Sequence, residues 1–69
     1  MTKDEAIRIF NRAGYTFTGY KDTGYGYRAY HFTHTNFPGE VEFDLALLRR
    51  KASMLDVQMW HDENPLEVA

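Results

Sequence analysis

The sequence predicts an α+β fold: a single small αβββα domain in which a three-stranded antiparallel sheet carries both helices on one face. Three observations lead there. Apolar residues recur at helical spacing near the two ends, from Ala6 to Ala13 and from Leu45 to Met59. Between them lie three segments that alternate every second residue, the period of a half-buried strand. Glycine and proline punctuate the joints at Gly14, at Gly24 and Gly26, and at Pro38-Gly39.

The first helix is expected to start at Thr2-Lys3-Asp4-Glu5, where Thr and Glu stand at the spacing of a capping box. At about 100° per residue Ala6, Ile7, Ile9, Phe10 and Ala13 share one side, and Asp4, Arg8, Asn11 and Arg12 the other. Gly14 then closes it, because glycine accepts a positive φ without steric penalty. Tyr15-Thr16-Phe17-Thr18-Gly19-Tyr20 alternates aromatic with hydroxyl side chains, so Tyr15 and Phe17 face the core and Thr16, Thr18 and Tyr20 the other side. The segment from Lys21 to Gly26 reads as a hairpin connection longer than a two-residue turn.

The aromatic run from Tyr25 to His34 is the best candidate for the middle strand, although the strand order does not follow from the sequence. Arg28, Tyr30, Phe32 and His34 point one way, and Tyr27, Ala29, His31 and Thr33 the other. Pro38-Gly39 suits the central positions of a type II turn. Glu40-Val41-Glu42-Phe43-Asp44-Leu45 then alternates strictly, with Val41, Phe43 and Leu45 on the core face and three carboxylates on the open one. A second helix starting near Val41 would give αββα instead; the alternation favours the strand. Asp44 also suits the N-cap of the second helix. Leu45, Leu48, Ala52, Leu55 and Met59 form a core stripe about 80° wide on it. Leu47, Met54 and Val57 gather around Arg50 on its far side, a second apolar stripe that must pack on the first helix or on another molecule. Periodicity is lost at Trp60, so the domain is expected to span residues 1–60, with Trp60 folded back and 61–69 a loose tail.

Composition narrows the function. The chain has 69 residues and no cysteine, which leaves out a disulfide framework or a thiolate metal site. A domain of this size buries only about 60% of the surface of its unfolded chain. Five Tyr, five Phe and one Trp have to supply most of the core. The net charge of −2 is too small for an acidic tail and argues against a general nucleic-acid binder. There is no basic-then-apolar leader pattern and no membrane-length apolar run, so a soluble protein of the bacterial or infected-host cytosol is expected, with no membrane partner.

The open sheet face is the main candidate surface. Tyr20, Tyr25, Tyr27 and His31 beside Glu40, Glu42 and Asp44 would offer aromatic contact area with an acidic edge, suited to a basic protein partner such as a nucleoprotein or a nucleic-acid-binding surface. The second candidate is the stripe of Leu47, Arg50, Met54 and Val57. His31 and His34 fall on opposite faces of one strand and His61 lies in the tail, so satisfied or solvated roles are expected for all three, with no metal or cofactor. Arg49-Arg50-Lys51, with Arg8 and Arg12, could contact phosphates, but a charge run of half a turn is more often a solvated side. Phosphate-loop and nucleophile-elbow motifs are missing, which weighs against an enzyme.

Ala13-Gly14-Tyr15, the run Tyr30-His31-Phe32-Thr33-His34, and Pro38-Gly39 leading into Val41-x-Phe43 resemble the HicA family of small toxin ribonucleases. That resemblance spans roughly residues 6–57 and implies the αβββα order shared with double-stranded-RNA-binding domains. The family's catalytic Gly-Ser-His motif is not matched: after Gly26 the chain reads Tyr27-Arg28-Ala29, so no catalytic residue carries over.

The leading expectation is therefore a non-enzymatic protein-binding module, of the kind used by phages and mobile elements as anti-defence or anti-CRISPR inhibitors. Alternatives are a HicA-like RNA-binding protein or weak ribonuclease using Arg28, His31 and Arg49-Arg50-Lys51, and a homodimer joined through the second helix.

Overall fold

The computed structural model describes residues 1–65. The order is α1 (Lys3–Arg12), β1 (Tyr15–Asp22), β2 (Arg28–His34), β3 (Phe37–Phe43) and α2 (Leu45–Glu63). The strands form one antiparallel sheet in the order β1-β2-β3, with β2 in the middle. Both helices cover the same face, which is the α+β arrangement expected. No helix among the described residues is long and apolar enough to cross a membrane.

Phe10 joins the layers. Fully buried on α1, its ring stacks on Phe32 of β2 at 4.8 Å and meets Tyr15 of β1 at 5.1 Å and Phe43 of β3 at 5.3 Å. One helical side chain thus touches all three strands. Ala6, Tyr30, Phe32, Leu48 and Ala52 complete the buried cluster, and Leu45 and Leu55 pack against it. The small side chains Ala6 and Ala52 fit where two helices must approach each other above the sheet.

The helix starts follow local chemistry. The Thr2 hydroxyl accepts the Glu5 N–H at 3.2 Å, and Asp4 and Glu5 sit in the first turn of α1, where the helix dipole favours acids. The Asp44 carboxylate accepts the Leu47 N–H at 2.7 Å, so β3 converts directly into α2. Asp44 therefore belongs to the helix cap and not to the acidic row of the open face, because its extended backbone turns the carboxylate onto the first helical turn.

Pro38-Gly39 does not make the β2–β3 turn. The reversal is at Thr35-Asn36, with His34 opposite Phe37, and Pro38 and Gly39 bulge out of β3 before pairing resumes between Thr33 and Glu40. Contacts of the tighter turn decide this. The Asn36 N–H donates to His34 Nδ1 at 3.0 Å, and the Thr35 N–H donates to Gly14 O at 3.3 Å. Proline, which has no N–H to give, is tolerated on an edge strand, and Gly39 takes the positive φ of 86° that the bulge requires.

A second bulge redirects β1. Phe17 pairs with Phe32 but Gly19 with His31, so Tyr20 lies opposite Tyr30. Tyr20 therefore shares the helix-side face and not the open one, because one extra residue reverses the alternation beyond it. The loop from Thr23 to Tyr27 is the longer hairpin connection expected, closed by the Thr23 hydroxyl donating to Tyr27 O at 2.9 Å.

At the other end α2 continues past Trp60. Asn64 donates to Trp60 O from its backbone at 2.9 Å and its side chain at 3.0 Å, and the Gln58 amide donates to Asp62 at 3.1 Å. These bonds hold a last turn that apolar periodicity alone does not mark. Trp60 is helical and 58% exposed, not folded back on the domain. The end of the expected tail, residues 66–69, lies outside the described residues.

His34 ties α1 to the sheet. Its Nδ1 accepts from Asn36, which leaves Nε2 to donate to Ala13 O at 3.1 Å, and its ring lies between Tyr15 and Phe37. A Cβ on Gly14, whose φ is 95°, would stand 3.0 Å from His34 Nε2.

Two stability measurements check this architecture. Phe10→Ala is expected to cost about 3–5 kcal/mol, against about 3–10 kcal/mol of total stability for a chain of this length. The variant should give a largely unfolded circular dichroism spectrum at 25 °C. Gly14→Ala should lower the urea midpoint by the equivalent of about 1–2 kcal/mol, from backbone strain alone, with a further loss from the displaced His34 ring.

Candidate docking surfaces

The open face centres on His31. Its strand neighbours are Gly19 on β1 and Glu42 on β3. The ring lies flat between two carboxylates: Nδ1 is 3.4 Å from Glu40 and Nε2 is 3.5 Å from Glu42. The side chain is only 16% exposed, and Nε2 has no partner in good hydrogen-bond geometry. The Thr18 hydroxyl, placed by the β1 bulge, lies 2.9 Å from Glu40 Oε1 and 3.2 Å from His31 O, so its one proton holds Glu40 over the sheet. A shallow cavity of about 150 Å³ is bordered by Thr18, Gly19, Tyr20, Lys21, His31 and Glu40, although the Tyr20 ring itself packs toward Tyr30 and Arg28.

The chemistry of this cluster is limited by its geometry. Glu40 and Glu42 address opposite ring nitrogens, so the three groups do not converge on one point where a cation could sit. No set of three or more metal-binding side chains occurs among the described residues. Among the described residues no hydroxyl is hydrogen-bonded to either ring nitrogen. The cluster is an acidic patch folded around one imidazole, whose Nε2 is left without a hydrogen bond.

The tyrosines expected beside it are dispersed. Tyr20 lies on the opposite face, where the Arg28 guanidinium sits 4.7 Å from its ring centre and is also 3.4 Å from Asp22. Tyr25 stands in the hairpin loop, 86% exposed, and Tyr27 is at the loop's exit. Only His31, Glu40 and Glu42 of the first candidate set come together. The residues of the RNA-binding alternative are likewise separated. Arg28 is engaged with Asp22 and Tyr20, His31 is flanked by acids, and Arg49, Arg50 and Lys51 lie exposed on α2.

The second candidate surface holds together better. Leu47 is half-buried, whereas Met54 and Val57 are 60% and 55% exposed. The stripe does not pack on α1, which excludes the first of the two fates expected for it. Leu47, Arg50, Asp44 and Ala46 border one depression at its N-terminal end. Met54 also overhangs a groove of about 490 Å³ that reaches down to Phe10, Tyr15 and Phe43.

Trp60 is exposed on one flank of this stripe and is missing from the sequence-based set. The signal was present, since 50, 53, 57 and 60 continue helical spacing, but it required the helix to outlast its core stripe.

Compared with known protein families, with curated proteins and with solved structures, the chain gives no match. The resemblance to the HicA family accordingly rests on the helix, three-strand, helix order alone.

Thr18→Ala should lower stability by about 1 kcal/mol through the lost hydroxyl bond. Tyr25→Ala should change it by less than about 0.5 kcal/mol, as an exposed loop residue. Urea denaturation of both variants gives the contrast.

Proposed function

We propose that this protein is a non-enzymatic protein-binding module that docks through the outer face of α2. The observation carrying this reading is that Met54, Val57 and Trp60 stay 55–60% exposed on a helix whose other side places Leu48 and Ala52 in the core. So small a domain has few large apolar groups, and three kept in water on one surface are better suited to a partner than to the fold. Large clustered apolar exposure marks interaction sites, and Met, Trp and Arg are enriched in them. Arg50 sits within the same surface.

The sheet face is the weaker dock. Glu40 and Glu42 already face His31, and displacing those contacts would offset what a basic partner gains. An inhibitory role of the anti-defence type, exerted in the cytosol, fits such a module on size and surface character.

Met54→Glu tests the reading. The residue is exposed, so the fold and the urea midpoint should be retained within about 0.5 kcal/mol. Tagged wild-type protein should retain a stoichiometric protein partner from a bacterial lysate after ribonuclease treatment, and M54E should lose it. Equal recovery by both proteins would move the docking site elsewhere. RNA recovered without any protein would favour the nucleic-acid alternative.

A further inference from the structure

Apart from its Asp44 cap and His61 in the last turn, the charges of α2 run against its own dipole. A helix favours acids at its start and bases at its end, but α2 carries Arg49, Arg50 and Lys51 in its second turn and Asp62 and Glu63 at its end. One of these acids is compensated within the chain by an exposed contact, Arg12 to Glu63 at 3.4 Å. The remaining pattern is a basic half followed by an acidic half, along a helix with an uncovered apolar stripe. Such a surface is complementary to itself when turned end for end.

Resting on the docking face proposed above, we infer that its occupant is a second copy of this chain, with the two α2 helices packed antiparallel. Taking about 100° per residue, Leu47, Met54 and Val57 span about 80°, with Arg50 among them. Lys51 and Asp62 lie about 80–100° to one side of that stripe's centre line, and Arg49 and Trp60 about 100–120° to the other. A two-fold axis perpendicular to both helices keeps each flank on its own side and reverses the order along the helix. With the axis near Asp56, Lys51 comes within about one residue's rise of Asp62 of the second copy. On the other flank Arg49 and Arg50 come beside the Trp60 ring of the second copy, an arrangement suited to cation–π contact. Met54 and Val57 of the two copies meet across the axis. The interface is isologous, each contact occurring twice, as a closed dimer requires.

A parallel pairing lacks this match, because its two-fold axis lies along the helices and brings the Lys51–Asp62 flank of one copy against the Arg49–Trp60 flank of the other, with Lys51 near the level of Arg49 and Asp62 near that of Trp60. The antiparallel arrangement also opposes the two helix dipoles. It leaves the open sheet face and the β1–β2 hairpin free in each copy.

Sedimentation velocity on the full chain over a hundredfold concentration range tests the proposal. Wild type should move from monomer to dimer, and the midpoint should rise with salt. Lys51→Asp and Asp62→Lys should each weaken dimerisation roughly tenfold or more, since each reversal places like charges together twice per dimer. The double reversal K51D/D62K should restore it. Wild type that stays monomeric throughout overturns the dimer, and so does a double reversal no better than the single ones. The lysate capture with M54E is read separately: a partner lost in M54E while wild type stays monomeric keeps the docking face and rejects the second copy. A dimer unaffected by M54E rejects this face as its interface.

Discussion

The contact of Phe10 with one aromatic ring from each strand is the constraint on which the rest of this structure depends. A sheet of three strands has two open edges and too little area to hold its own twist and register. Here the register is pinned from above, because Phe10 fits only where Tyr15, Phe32 and Phe43 converge. Burying a phenylalanine side chain is worth about 1.5–3 kcal/mol, a large share for a domain of this length. The α1 helix is therefore as much a part of the sheet's specification as the strand pairing, and His34, bonded to Ala13 O, holds its exit from the other end.

With the helices committed to one face, the other has to live with water. It does so with Thr16 paired against Thr33, with Glu40 and Glu42 on the edge strand, and with His31 held between them. Carboxylates and a proline on β3 discourage another chain from adding to that edge. The two bulges refine the arrangement. One sets the Thr18 hydroxyl against Glu40, and the other absorbs Pro38 where no N–H is needed. The face that alternation marks as a candidate surface thus carries a polar cover of its own.

The long second helix is longer than its core contact needs. Its inner side supplies Leu48 and Ala52 to the buried cluster, while its outer side keeps apolar groups and unbalanced charge together. Among the described residues the terminal acids are used only through exposed contacts, Arg12 with Glu63 and the Gln58 amide with Asp62. Exposed apolar area gains nothing in water, and cations near a helix start with anions at its end work against the dipole. Both become favourable against a surface of matching pattern.

The sequence by itself determined which segments are helical or extended, which face of each is apolar, and how both helices start. These depend on local periodicity and capping, as with Asp44, whose carboxylate needs only the next turn of backbone. The end of α2 is local too, with Asn64 closing back on Trp60, but apolar periodicity does not mark it. The tertiary structure alone decided the position of the second turn and the side on which Tyr20 emerges, each set by a distant partner: Gly14 O for Thr35 and the Tyr30 register for Tyr20. The same holds for the candidate surfaces. Alternation placed His31, Glu40 and Glu42 together correctly, because no bulge intervenes between them. It placed Tyr20 and Asp44 wrongly, because a bulge and a helix cap each redirect a side chain without leaving any trace in the hydrophobic pattern. Whether Met54 and Val57 were core or surface depended on where α1 lies, and that is decided by the packing of Phe10.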